Sequence, residues 1–148
     1  MKRSILILTT MIAVAGTLAC SSVKVKSDWD KTVDFSRYST WSLSKGSVPP
    51  TSVAKAVVNE AVGEVMAAKG YTKVEGTADC YIAIHAEADE WFDGGLLKIE
   101  ALEGKTRNTV WRGKAEGAVN VQSTAKRQKL AQRVTKKMFK KFPDKRIE

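Results

Sequence analysis

The spacing of the apolar residues switches along this chain from strand-like to helical, back to strand-like, and to helical again. That succession limits what the chain can fold into. Ser22 to about Ser27 reads as a short tether running into a first strand. Thr40-Trp41-Ser42-Leu43 then alternates, with Trp41 and Leu43 on one side, which is the period of a half-buried strand. After a loop containing Gly46, Pro49 and Pro50, the spacing lengthens. Val53, Val57, Ala61, Val65 and Ala68 recur at helical intervals, and Val58, Val62 and Met66 broaden the stripe. Thr51 or Ser52 is placed to cap this helix and Gly70 to stop it. Alternation returns over about Tyr71–Val74, Asp79–Ala88, Leu96–Leu102 and Thr109–Gly117. Asp93-Gly94-Gly95 and Glu103-Gly104-Lys105 lie between the later segments as turn signals, which predicts antiparallel hairpins. A last helix from about Thr124 to Phe142 carries Leu130, Val134, Met138 and Phe142 as its stripe, joined by Ala131, and Pro143 ends it. The order β-β-α-β-β-β-β-α predicts an α+β domain: an antiparallel sheet of about five to six strands with two helices packed on one face.

Ahead of this pattern stands a different kind of segment. Lys2 and Arg3 give a positive start, Ile5 to Leu18 give an apolar run, and Thr17-Leu18-Ala19 leads into Cys20. These are the parts of a secretory signal peptide, whose cleavage site would abut a cysteine. The run falls short of the roughly 20 apolar residues that a membrane span needs. Polar Ser21, Ser22, Lys24 and Lys26 follow it at once. The arrangement resembles a bacterial lipobox, with Thr17 where leucine is commoner. An ordinary secretory peptidase would accept the same cut, and the two outcomes differ in whether the Cys20 sulfur carries a diacylglycerol. The expectation is a lipidated Cys20, with the amino group acylated too. Two or more chains give stable anchoring where one gives only marginal binding. The chain divides into residues 1–19 as signal, 20–27 as lipidated cysteine and tether, and 28–148 as a single α+β domain. Ser21 stands where aspartate would favour inner-membrane retention, so by analogy the protein is expected at the outer membrane, facing the periplasm.

Little in the remainder reads as reaction chemistry. With Cys20 lipidated, Cys80 has no internal disulfide partner. It shares a strand face with Ile82, Ile84 and Ala86, which suits a buried thiol and not a reactive one. The single histidine, His85, falls on the opposite face with Tyr81 and Ala83. No Gly-x-Ser-x-Gly elbow accompanies it, and one histidine with one free cysteine is too few for a usual zinc set. Phosphate-loop and dinucleotide fingerprints are absent. Glu87-Ala88-Asp89-Glu90-Trp91-Phe92-Asp93 lacks the spacing of a calcium loop and reads as a solvated turn whose aromatics cover the end of the core. Trp29, Trp41 and Trp111 read as core or sheet-covering residues. Gly113, close after Trp111 in a strand, suggests close packing or a bulge. No enzyme, metal or cofactor is expected.

Charge supplies the functional lead. The whole chain carries a formal net charge of +9. From Lys126 to the end stand ten basic residues against two acidic ones, so nearly all the excess lies on the last helix and tail. Lys126, Arg127, Lys129, Arg133, Lys136, Lys137, Lys140 and Lys141 are the candidate contact with an anionic surface. Basic helices also attract nucleic acid, but an exported protein does not meet it. The expected partners are the membrane through the N-terminal lipid, and anionic lipid or an envelope protein through the helix.

Several segments together resemble a family of bacterial lipoproteins, the domain of unknown function 4136. They are Val33 to Thr40, Ala68-Lys69-Gly70-Tyr71, Ala78-Asp79, Gly95 to Ile99, Val110 to Ala115 and Lys141-Phe142-Pro143. Their order and spacing carry the resemblance, which spans nearly the whole chain after the signal. Near the turn after Glu100 the family tends to carry an aspartate, where this chain has Glu103. The resemblance implies a cell-envelope lipoprotein and no particular activity. The expected role is a non-enzymatic interaction or scaffold domain, with a small-ligand-binding periplasmic domain as the alternative.

Overall fold

The structure, a computed structural model, describes residues 23–46, 53–86, 93–118 and 123–145. In chain order its strands and α-helices are β1 (Lys24–Trp29), β2 (Thr40–Leu43), α1 (Val53–Ala68), β3 (Thr72–Lys73), β4 (Cys80–Ala86), β5 (Asp93–Glu103), β6 (Thr109–Ala118) and α2 (Thr124–Phe139). A short 3-10 turn, Phe35–Arg37, precedes β2. Thr51 and Ser52, expected to cap α1, and Glu87 to Phe92 lie outside the described residues.

The strands form one six-stranded sheet in the spatial order β1-β6-β5-β4-β2-β3. The expected antiparallel hairpins are present: β4 pairs with β5 and β5 with β6, while β1 pairs antiparallel with β6. Asp93-Gly94-Gly95, expected as a turn, instead opens β5, where Asp93 pairs with Ala118. The expectation of a wholly antiparallel sheet is corrected at β2, which runs parallel to β4 on one side and to β3 on the other. The cause is α1. A hairpin reverses the chain, whereas a crossover through a helix brings it back in its original direction. The helix makes the β2–β3 pairing parallel, and residues 74–79 then carry the chain past β2 to β4 without reversing it, so that pairing is parallel too.

One sheet face and the helices enclose the core. Ile82, Ile84, Leu97, Ile99, Trp111 and Ala115 point into it from the sheet, and Met66, Val134, Met138 and Phe139 from the helices. On α1 the deepest residues are Val58, Ala61, Val62 and Met66, while Val57 and Val65 are half-buried and Ala68 is exposed. The buried face is thus rotated from the Val53-to-Ala68 row toward the residues that were expected only to widen it. Gly113 is close-packed and not bulged: a Cβ there would collide with the Met138 side chain and the Trp111 ring. Gly70 ends α1 with φ 92°, the left-handed backbone that glycine adopts without steric cost.

Beyond α2 the chain stays attached. Phe142 stands edge-on to Phe35, Tyr71 and Trp111 and tilted against Phe139, with ring centroids 5.2 to 5.7 Å away. Aromatic pairs in such geometry contribute about 0.5–1.5 kcal/mol each beyond simple burial. Tyr71 Oη donates to the Pro143 carbonyl at 3.1 Å, and the Lys145 amide donates to the Lys69 carbonyl at 3.1 Å. Lys69 Nζ reaches Asp144 at 3.4 Å. The segment after α2 is therefore clamped to the end of α1.

Candidate anionic-surface interface

The sequence of α2 is amphipathic through its spacing. Leu130, Ala131, Val134, Thr135, Met138 and Phe139 are buried, and the hydroxyl of Thr135 is satisfied by donating to the Ala131 carbonyl at 2.8 Å. The basic residues occupy the remaining positions. Lys126, Lys129, Arg133, Lys136, Lys137, Lys140 and Lys141 are exposed, and Arg127 is half-buried. Lys136 and Lys137 stand in the last turn, where positive charge suits the helix C-terminus.

The set is not one uniform face. Lys136 turns toward α1, where its Nζ lies 3.0 Å from Glu64. Lys137, Lys140 and Lys141 turn the other way, over the edge strand β1. There they line one side of an open groove of about 820 Å³. The other side comes from the sheet: Lys26 of β1 with Arg112 and Lys114 of β6. These three positions fall on the outward-facing side of paired strands, since Lys26 pairs with Lys114 and Asp28 with Arg112. The sequence reading missed the sheet contribution. Single cations spaced two apart in β1 and β6 look like ordinary solvent-facing positions, and only the pairing of the two ends of the chain brings them beside α2.

Charge within the groove is unevenly neutralised. Arg112 Nε donates to Glu100 at 2.9 Å, Lys114 pairs with Glu116, and Asp28 is held by Lys31 at 2.9 Å. The hydrogen bond from Lys31 keeps the Asp28 carboxyl below its usual range, so the groove's carboxylate stays ionised and occupied. Lys26, Lys137, Lys140 and Lys141 have no ion pair among the described residues.

On the exposed sheet face beside the groove, Glu100 is a buried carboxylate flanked by two cations, Arg112 and Lys98 at 3.1 Å, with His85 Nε2 3.3 Å away. Burial pushes the Glu100 carboxyl up, but hydrogen bonds from Lys98 and Arg112 outweigh it and hold the group below its usual range. His85 is exposed, as its place in the alternation predicts. Tyr81 and Ala83, expected to share an outward face with it, are buried there instead. The Arg107 guanidinium lies 3.7 Å from the Tyr81 ring centroid and roofs it. Cys80 is buried, and burial pushes its thiol up to about 12.

A second concavity, of about 500 Å³, opens at the end of the sheet remote from Lys24. It is polar, with Asp34, Asp79 and Glu103 on its walls. Each carboxylate has a local structural role. Asp79 accepts from the Ser39 and Thr40 amides at 2.9 and 3.0 Å and from the Thr40 hydroxyl at 2.9 Å. Those bonds draw its carboxyl below the usual range. Asp34 accepts from the Ser36 amide at 3.0 Å, and Glu103 from the Tyr38 hydroxyl at 3.4 Å. Arg37 and Lys105 also line the cavity and have no ion pair among the described residues. Among the described residues no three His, Cys, Asp or Glu side chains gather in a form that could hold a metal ion. Nor is any described helix long and apolar enough to cross a membrane. Cys20, Trp91 and Phe92 lie outside the described residues.

Several solved structures share the fold. PelC, in a dodecamer from Paraburkholderia phytofirmans, is 12% identical with a TM-score of 0.53, and the match covers 79% of this chain and 94% of that one. A PDZ domain protein from Parabacteroides distasonis is 13% identical with a TM-score of 0.60, and the match covers 79% of this chain but 35% of that one. At such identities the likeness is one of architecture. No curated protein matches the sequence. The family model described as domain of unknown function (DUF4136) matches residues 25–144, from β1 to the clamp after α2, and the chain belongs to that family.

Proposed function

We propose that this protein is a cell-envelope lipoprotein, held at the outer membrane by acylated Cys20 and facing the periplasm, whose domain works by binding and not by catalysis. The observation that carries the reading is the gathering, on the α2 side of the groove, of lysines that have no ion pair among the described residues. Like charges held together at a surface repel one another, and an anionic partner relieves that cost. Near an anionic membrane each such residue contributes about 1 kcal/mol, less as salt rises. The non-enzymatic reading is supported by the state of the reactive groups. The Cys80 thiol is buried, and His85 faces a carboxylate already engaged by Lys98 and Arg112.

The experiment is co-purification from detergent-solubilised envelope, comparing the native chain with one in which Lys136, Lys137, Lys140 and Lys141 are changed to Glu. Loss of anionic lipid or of an acidic protein from the variant is the expected result. An unchanged set of companions removes the basic face from the function. Intact mass tests the anchor separately: a mature chain starting at unmodified Cys20 overturns the lipoprotein reading.

The polar cavity supports a second reading, a small-ligand-binding domain. Arg37 and Lys105 would receive an anionic group there. Native mass spectrometry of the purified protein should then show a small bound molecule that is lost on changing both to Ala. No such adduct in the native chain rejects it.

A further inference from the structure

We infer that the groove between α2 and β1 seats on anionic head groups of the same bilayer that holds Cys20, so that the domain lies with its β1 edge toward the membrane. The inference rests on the lipidation proposed above and narrows the anionic surface to one partner. Two independent observations carry it.

The first is reach. β1 begins at Lys24, inside the stretch to about Ser27 that was expected to be tether, and only residues 21–23 separate it from Cys20. A chain spans at most ~3.6 Å per residue, so the Lys24 Cα lies within about 14 Å of the Cys20 Cα whatever those residues do. β1 is the edge strand of the sheet, and Lys26 is two residues further on. The anchor therefore holds this edge close to the head groups, at a distance comparable to the Debye length of about 10 Å in 0.1 M salt.

The second is charge complementarity at that edge. Lys137, Lys140 and Lys141 come from the helix and Lys26, Arg112 and Lys114 from the strands. Six cations therefore line a groove whose acidic member, Asp28, is already paired with Lys31. The polar cavity lies at the other end of the strands from Lys24, where the tether joins. An acidic protein would satisfy the charge equally well, but nothing in the tether length would favour it.

The test uses the full acylated chain reconstituted into vesicles of phosphatidylcholine alone, or with about 30% phosphatidylglycerol. An amine-reactive reagent then reports the exposure of each lysine by mass spectrometry. Lys26, Lys137, Lys140 and Lys141 should label at least about threefold more slowly on the anionic vesicles, with the difference lost in 0.5 M salt. Lys45 and Lys105, away from the groove, should label equally on both. A chain with Lys137, Lys140 and Lys141 changed to Gln should lose the protection of Lys26. Equal labelling of the groove lysines on the two vesicles overturns the inference while leaving the anchor intact. Protection in native envelope but not on anionic vesicles also overturns it, in favour of a protein partner. Failure of the chain to float with either vesicle overturns the anchor, and the inference with it.

Discussion

Asp79 shows how one exposed carboxylate can position a strand. Its carboxylate collects the Ser39 and Thr40 amides at the entrance to β2, where the chain turns out of the 3-10 segment. The native state lowers its pKa, so its contribution is present above the unfolded value near ~3.9 and fades as pH falls through the lower folded value. Urea titrations between pH 7 and pH 2 should show this loss, and Asp79→Asn should flatten that part of the profile while costing about 1 kcal/mol at neutral pH. Gly113 gives a steeper test, because no Cβ fits between Met138 and the Trp111 ring. Gly113→Ala should cost about 1–3 kcal/mol, read from the urea midpoint. Cys80 should react with a thiol reagent only as the domain opens, since both burial and the raised thiol pKa oppose the thiolate. Each of these residues was visible in the sequence by type, and the burial of Cys80 follows directly from its alternation with Ile82 and Ile84. The role of Asp79 was not visible, because its partners stand forty positions upstream and only the fold brings them together.

At the scale of elements, the periodicities carried most of the information. The strand–helix order, both hairpins and the start of α2 follow from apolar spacing and turn residues, but α2 stops at Phe139 and not at the expected Phe142. Strand direction at β2 did not, because alternation is the same for parallel and antiparallel pairing. The intervening helix, visible in the sequence, held that answer. Phe139 also escaped notice: it lies in the core beside Trp111 at a ring-centroid distance of 4.6 Å, next to a stripe drawn through Met138 and Phe142. The clamp after α2 makes its own prediction. Phe142→Ala removes a ring that meets four others and should cost about 3–5 kcal/mol by thermal or urea unfolding. Lys145→Ala should cost far less: it keeps the backbone bond to Lys69 and loses only the exposed hydrogen bond from Lys145 Nζ to Ser39 Oγ at 2.6 Å.

For the whole molecule, composition showed the charge excess but not its distribution. Of the eight basic residues expected to act as one face, Lys136 turns to α1 while Lys137, Lys140 and Lys141 turn to the β1 edge, where strands from both ends of the chain add further cations. Pairing also fixes an order of events. β1 is the first strand made, and its partner β6 is the last. Contacts between such distant segments slow folding, because a large loop must close before they can form. As the chain leaves the ribosome, its first strand has no edge to join until β6 has followed, and the aromatic cluster stays incomplete until Phe142 arrives. The domain therefore cannot finish folding piecemeal during synthesis. Its β1 edge and its aromatic core stay open until β6 and Phe142 have emerged, and a domain without a closed core is easier to thread through a narrow pore.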